Sequence, residues 1–178
     1  MTDEDDCSLW STELLTGADQ GESDPHCYKH KPLLYDVKQR YYDGFRKLRP
    51  GHEDMVTFSA IVGVPPDLVD ARVLPEPGDR RASDAFYEAI LNDPRMQEEV
   101  DGGGKLRPSC SRALPGSAAP STAYPPRRIV ELAKLFGDNG VVQSICQDDF
   151  AGALAPLVRN LGGRDGTGCF WGKLLRKE

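Results

Sequence analysis

Residues 55–64 read MVTFSAIVGV, and residues 140–146 read GVVQSIC. Both runs are short, apolar and rich in β-branched side chains, and the first stops at Pro65-Pro66. Short apolar runs of this kind predict strands buried inside a parallel sheet. Around them, apolar residues recur at helical spacing. Leu33, Leu34, Val37, Tyr41, Phe45 and Leu48 predict an amphipathic helix over 32–48, stopped by Pro50-Gly51. Ile129, Val130, Leu132, Ala133, Leu135 and Phe136 predict another, closed at Gly137 by a left-handed cap. Asp148 or Asp149 can cap a last helix with Phe150, Leu154, Leu157, Val158 and Leu161 on one face, ending at Gly162-Gly163. Helices alternating with buried strands imply an α/β fold, a parallel sheet with helices on both faces. Two strands do not complete such a sheet, so further strands are expected upstream of Met1.

The region 65–125 carries weaker signals. Ser83 could cap a short helix through Ala85, Phe86, Ala89 and Ile90, and Asn92-Asp93-Pro94 could open another. Gly102-Gly103-Gly104 and the segment LPGSAAPSTAYPP at 114–126 have loop composition. The stretch reads as an insertion on a scaffold, outside its core. Residues 163–178 read as a flexible tail with a basic end.

Of 178 residues, 39% are apolar and 28% charged, an ordinary globular mixture long enough for one domain with a real core. No apolar run approaches the ~18 residues that span a bilayer. The 22 basic and 28 acidic residues give a net charge of −6, which argues against nonspecific binding to nucleic acid or anionic membranes. The distribution says more. Residues 1–30 hold eight acids and one base and 51–100 hold eleven and four, while 31–50 and 101–130 are each net +4.

Several chemistries fall away on spacing. Gly102-Gly103-Gly104-Lys105 lacks the spacing and hydroxyl of a phosphate loop. His52-Glu53 has no second His one helical turn on, and there is no GxSxG elbow. His26, Cys27 and His30, with Cys7 near, could offer zinc ligands, but the spacing is irregular and a surface loop is the plainer reading. The five cysteines at 7, 27, 110, 146 and 169 form no CxxC pair. In an oxidising compartment their odd count leaves one over; in a reducing one most would be small core residues.

The acidic run Asp3-Glu4-Asp5-Asp6 is different. Hard divalent cations such as Mg²⁺ want carboxylate and hydroxyl oxygens, and Thr2, Asp3 and Asp5 supply them. In open α/β sheets, ligands bind at loops past the carboxyl ends of strands, where an acidic turn following a strand would sit. The run Thr2-Asp3-Glu4-Asp5-Asp6-Cys7-Ser8 resembles the loop after the fourth strand of a von Willebrand factor type A (VWA) domain. The closing pieces Arg128-Ile129-Val130-Glu131, Phe136-Gly137 and Ser144-Ile145-Cys146-Gln147-Asp148-Asp149-Phe150 resemble the last helix–strand–helix of the bacterial secreted or lipoprotein type. The resemblance covers most of 1–162 and implies a Rossmann-like fold truncated at its N-terminus. It also implies a non-enzymatic adhesion or protein-binding role, assisted by Mg²⁺ (or Mn²⁺ or Ca²⁺).

By position only Asp3 carries over as a metal ligand, with Asp5 a lesser candidate. Glu4 stands where the family commonly has Gly, and the family's Asp-x-Ser-x-Ser loop is not in this chain. Metal binding by this chain is therefore expected to be weak or absent. The resemblance further implies an extracytoplasmic setting, in which Cys7 with Cys27, and Cys110 with Cys146, would form disulfides and Cys169 would be left over. The competing expectation is a small metal-dependent α/β hydrolase using the Asp3–Asp6 carboxylates.

Overall fold

A computed structural model describes residues 1–11, 26–116 and 118–161. In chain order its main elements are helix α1 (His26–Lys29), a π-helical turn (Lys38–Tyr42) running into α2 (Asp43–Arg46), and strand β1 (Phe58–Val62). Helix α3 (Arg80–Asn92), strands β2 (Cys110–Arg112) and β3 (Ser121–Ala123), helix α4 (Arg127–Phe136), strand β4 (Gly140–Ser144) and helix α5 (Phe150–Leu161) follow. β1 and β4 pair in parallel, from Phe58 opposite Gly140 to Val62 opposite Ser144. β2 and β3 form a separate antiparallel pair. The chain is thus a mixed helix-and-strand fold around a small parallel sheet.

A parallel pair needs a long crossover, and here it runs through α3 and α4. The core joins Ala60, Val62 and Val142 of the sheet to Val130 and Ala133 of α4 and to Val64, Val69, Tyr87, Ile90 and Met96. Val69, Tyr87, Ile90 and Met96 come from the region that the sequence reads as an insertion outside the core, so that reading is corrected. The reason is visible on α3. Its buried residues are Ser83, Tyr87 and Ile90, of which only Ile90 is purely apolar, so the periodic signal is thin. Ser83, expected as the cap, is buried inside the helix, and Asp79 caps instead, accepting from Ala82 N–H at 2.9 Å.

The helix expected over 32–48 is shorter. Leu34 is extended and bridges Leu9, with Trp10 N–H donating to Leu33 O and Tyr35 N–H to Ser8 O, both at 3.0 Å. Backbone groups committed to the N-terminal segment cannot also close a helix, which therefore begins past Val37. α4 and β4 lie where the sequence places them, and Gly137 closes α4 at φ 57°. Asp149 caps α5 through Ala151 N–H at 2.8 Å. Of the apolar face expected on α5, Leu154 and Val158 are exposed, while Ala153 is fully buried. The stop at Gly162-Gly163, the tail 163–178 and Cys169 lie outside the described residues. Among the described residues no helix is long and apolar enough to cross a membrane.

Where α4 turns back into β4 the backbones are in near contact. A Cβ on Gly140 would run into the Ala133 carbonyl and the Tyr87 hydroxyl, so only glycine fits. The Tyr87 hydroxyl, on a side chain only 2% exposed, donates to Gly140 O at 2.9 Å. Tyr87→Phe is expected to cost about 1 kcal/mol, the usual worth of one such bond. Urea unfolding checks this, and an unchanged midpoint would show the bond to contribute nothing net.

Candidate functional site: an acidic turn over the start of α4

The N-terminal segment enters beside β1. Thr2 N–H donates to Ile61 O at 3.2 Å, and Asp3 O accepts from Tyr124 N–H at 2.8 Å. Thr2 Oγ1 accepts from Glu4 N–H at 3.2 Å, which tightens the turn. The acidic run therefore lies at the carboxyl end of β1, the side on which open sheets carry their ligand loops.

Helix α4 begins awkwardly. Its cap position is Pro126, which has no side-chain acceptor, and its first two residues, Arg127 and Arg128, put positive charge at the positive end of the helix dipole. Asp5 compensates from far along the chain. Its two carboxylate oxygens accept from Arg128 N–H at 3.1 and 3.0 Å, and Oδ1 also accepts from Ile129 N–H at 3.3 Å and Asp6 N–H at 2.9 Å. Asp5 does for α4 what a local N-cap does elsewhere. Burial pushes its carboxyl up to about 7, against the downward pull of the amides of Arg128, Asp6 and Ile129.

Asp6 neutralises the Arg128 side chain. Its Oδ2 accepts from Arg128 Nε at 3.2 Å and Nη2 at 2.9 Å, and its carboxylate also takes the Tyr41 and Ser8 hydroxyls. Arg128 Nη2 donates onward to Tyr35 O at 2.6 Å. Four segments of chain are thereby tied at one point: the turn, the Leu34–Tyr35 strand-like stretch, the Tyr41 helix and α4. Nearby Glu98 pairs with Lys31 and, at 3.8 Å, with Arg127. Between these groups lies a cleft of about 130 Å³ whose lining includes the charged Glu4, Asp5, Asp6 and Arg128 as well as Tyr28, Leu34, Leu106 and Tyr124.

Both cystines sit at this end of the molecule. Cys7 is joined to Cys27 and Cys110 to Cys146, with Cα separations of 5.5 and 6.1 Å, the two pairs that the VWA resemblance implies. Cys7 and Cys27 being bonded to each other, neither is a free zinc thiolate for His26 and His30, and the zinc arrangement falls. Cys110–Cys146 fastens the β2–β3 hairpin beside the end of β4. Ser109 Oγ donates to Gly63 O and Ala123 O, and Arg112 Nη1 donates to Gln147 O at 3.0 Å.

Of the expected metal ligands, Asp3 is exposed, while Asp5 and Asp6 are committed to α4 and Arg128. Among the described residues no three His, Cys, Asp or Glu side chains converge on one ion-sized point. Arg128, Tyr41 and Glu98 belong to the site, and reading by motif missed them. The sequence carries one signal for Arg128: Pro-Pro-Arg-Arg opening a helix is unfavourable unless an acid from elsewhere covers it. Comparison with protein-family profiles, with curated proteins and with solved structures returns no match.

Proposed function

We propose that this chain carries a protein-binding module of the VWA type, bacterial and extracytoplasmic, whose ligand docks over the carboxyl ends of β1 and β4. The observation that carries the reading is the acidic turn Thr2–Asp6, held at the carboxyl end of β1 against the start of α4. Asp3, exposed beside Glu4, is the carboxylate that the resemblance assigns to a bridging divalent cation, Mg²⁺ or Mn²⁺. The two cystines support an oxidising compartment. Binding is favoured over metal-dependent hydrolysis because Asp5 and Asp6 already spend their oxygens on amides and a guanidinium, leaving few carboxylates to hold a metal and activate water.

One open carboxylate leaves about five of six octahedral positions to water. Calorimetric titration of the full chain with Mn²⁺ is therefore expected to give weak binding, about millimolar, that Asp3→Ala removes. Tight stoichiometric binding, or Mn²⁺-dependent turnover of p-nitrophenyl phosphate that Asp3→Ala abolishes, would overturn the reading.

A further inference from the structure

Charge is unevenly placed on this acidic molecule. Between Gly44 and His52 the only charged residues besides the histidine are Arg46, Lys47 and Arg49. α2 ends there, and the chain descends through tight turns: Leu48 N–H to Phe45 O at 3.1 Å, His52 N–H to Arg49 O at 3.0 Å, Met55 N–H to His52 O at 3.0 Å. Gly51, at φ 79°, makes the reversal. The resulting knuckle sits at the amino ends of the parallel strands, since the Asn139 side chain, just before β4, donates to the carbonyls of Asp54 and Val56.

Three large apolar side chains face outward on it: Leu48 is 73% exposed, Met55 52% and Phe45 38%. A single exposed leucine needs no explanation, but Phe45 and Leu48 interleave with Arg46, Lys47 and Arg49, and exposed Met55 lies on the same knuckle after Glu53 and Asp54, leaving three cations against two acids. The base is anchored, with the Phe45 ring stacked on Phe58 at 6.5 Å and Arg46 over the Tyr42 ring at 5.3 Å. Lys47 and Arg49 are exposed, and neither enters an ion pair among the described residues. The nearest acids are partly engaged: Asp43 pairs with Lys38, and Glu53 accepts from Gly51 N–H, while Asp54 is exposed. The acidic turn is at the far end of β1, roughly 16 Å of strand away. That exceeds the ~8–10 Å over which exposed charges act at physiological salt. The charge of the acidic turn is therefore screened at this end.

We propose that the Phe45–Met55 knuckle docks on an anionic phospholipid surface, with Leu48 entering the headgroup boundary while Lys47 and Arg49 meet lipid phosphates. Leu48, the most exposed of the three and flanked by Lys47 and Arg49, suits a lipid surface. Single-stranded nucleic acid would call for several free rings to stack its bases, and of the two rings here Phe45 is stacked on Phe58, which leaves the His52 imidazole. The inference is independent of the Asp3–Asp6 turn.

The test is co-sedimentation of the full chain with vesicles of phosphatidylcholine containing about 30 mol% phosphatidylglycerol, against phosphatidylcholine alone. Binding at least about tenfold stronger to the anionic vesicles is expected, with Leu48→Asp and Lys47→Glu/Arg49→Glu each weakening it about tenfold and Asp3→Ala leaving it unchanged. Lys47→Ala/Arg49→Ala carries the test if the double reversal fails to fold, as judged by thermal unfolding. Equal binding to both vesicles, no binding, or binding indifferent to these variants overturns the proposal. So does retention on a polyglutamate column that the same variants abolish while vesicles are ignored, which would assign the surface to an acidic protein.

Discussion

The double variant Cys110→Ser/Cys146→Ser is expected to unfold roughly 10 °C below the parent chain. The bond closes a loop with a sequence separation of 36. Chain-entropy arithmetic gives about 4 kcal/mol for a loop of that length, and each kcal/mol is worth roughly 2–4 °C in a chain of this size. The location adds to the expectation. Without the bond, the three-residue strands β2 and β3 must hold to the sheet through Ser109, which bonds Gly63 O, and Arg112, which bonds Gln147 O. Two such short strands are marginal alone. Cys146 is also 8% exposed, so serine there buries a hydroxyl. Differential scanning calorimetry under non-reducing conditions decides it. A fall of less than about 3 °C would show the hairpin to be self-supporting. The Cys7–Cys27 bond closes a separation of 20, so Cys7→Ser/Cys27→Ser should cost about 3 kcal/mol, lost mostly at the acidic turn.

Asp5→Ala is expected to cost about 2 kcal/mol, with a pH signature that separates it from an ordinary surface change. The substitution strips the acceptor from Arg128, Ile129 and Asp6 N–H groups at the end of a helix that Pro126 cannot cap. Asp5→Asn keeps an oxygen for those amides and loses only the titration, so it should fold nearly as well.

The sign of the pH effect follows from the direction of the shift. Burial raises the Asp5 carboxyl from 3.8 to about 7 in the folded chain. Between these values the folded state holds a proton that the unfolded state has released, so stability falls as pH rises. The contribution is complete below about 4 and gone once pH passes about 7. Urea unfolding at pH 5 and pH 8 should therefore show the parent losing stability relative to Asp5→Asn at the higher pH. An identical difference at both values would show that Asp5 ionises in the folded chain as it does in water.

Much of the fold was legible because burial leaves local periods. β1, β4 and α4 are placed by runs of apolar residues whose spacing matches a strand or a helix, α5 shows such spacing although Leu154 and Val158 on it are exposed, and Gly137 and Asp149 mark ends by backbone chemistry that acts within a few residues. α3 was read only as a weak short helix because its inward face is Ser83, Tyr87 and Ile90, a stripe that hydropathy barely registers. The helix over 32–48 was overextended for the opposite reason. Leu34 is apolar and correctly spaced, but its backbone is engaged by Ser8 and Trp10 across the bridge to Leu9.

The site divides the same way. An acidic run before an α/β pattern pointed to the carboxyl end of a strand, and Thr2 does bond Ile61 there. What each acid does was not legible. Asp5 and Arg128 are separated by 123 positions, and no spacing rule couples residues so far apart. The amino acids alone marked the segments whose apolar spacing is set within a turn or two, β1, β4, α4 and α5, but not the extended Leu34 or the β2–β3 pair, which depend on partners distant in the chain. Only the tertiary structure decided that Asp5 is a helix cap, that Asp6 is half of an ion pair and that Asp3 alone of the expected ligands faces water. Hydrogen-bond partners are chosen by proximity in space, and proximity exists only once the chain has closed on itself.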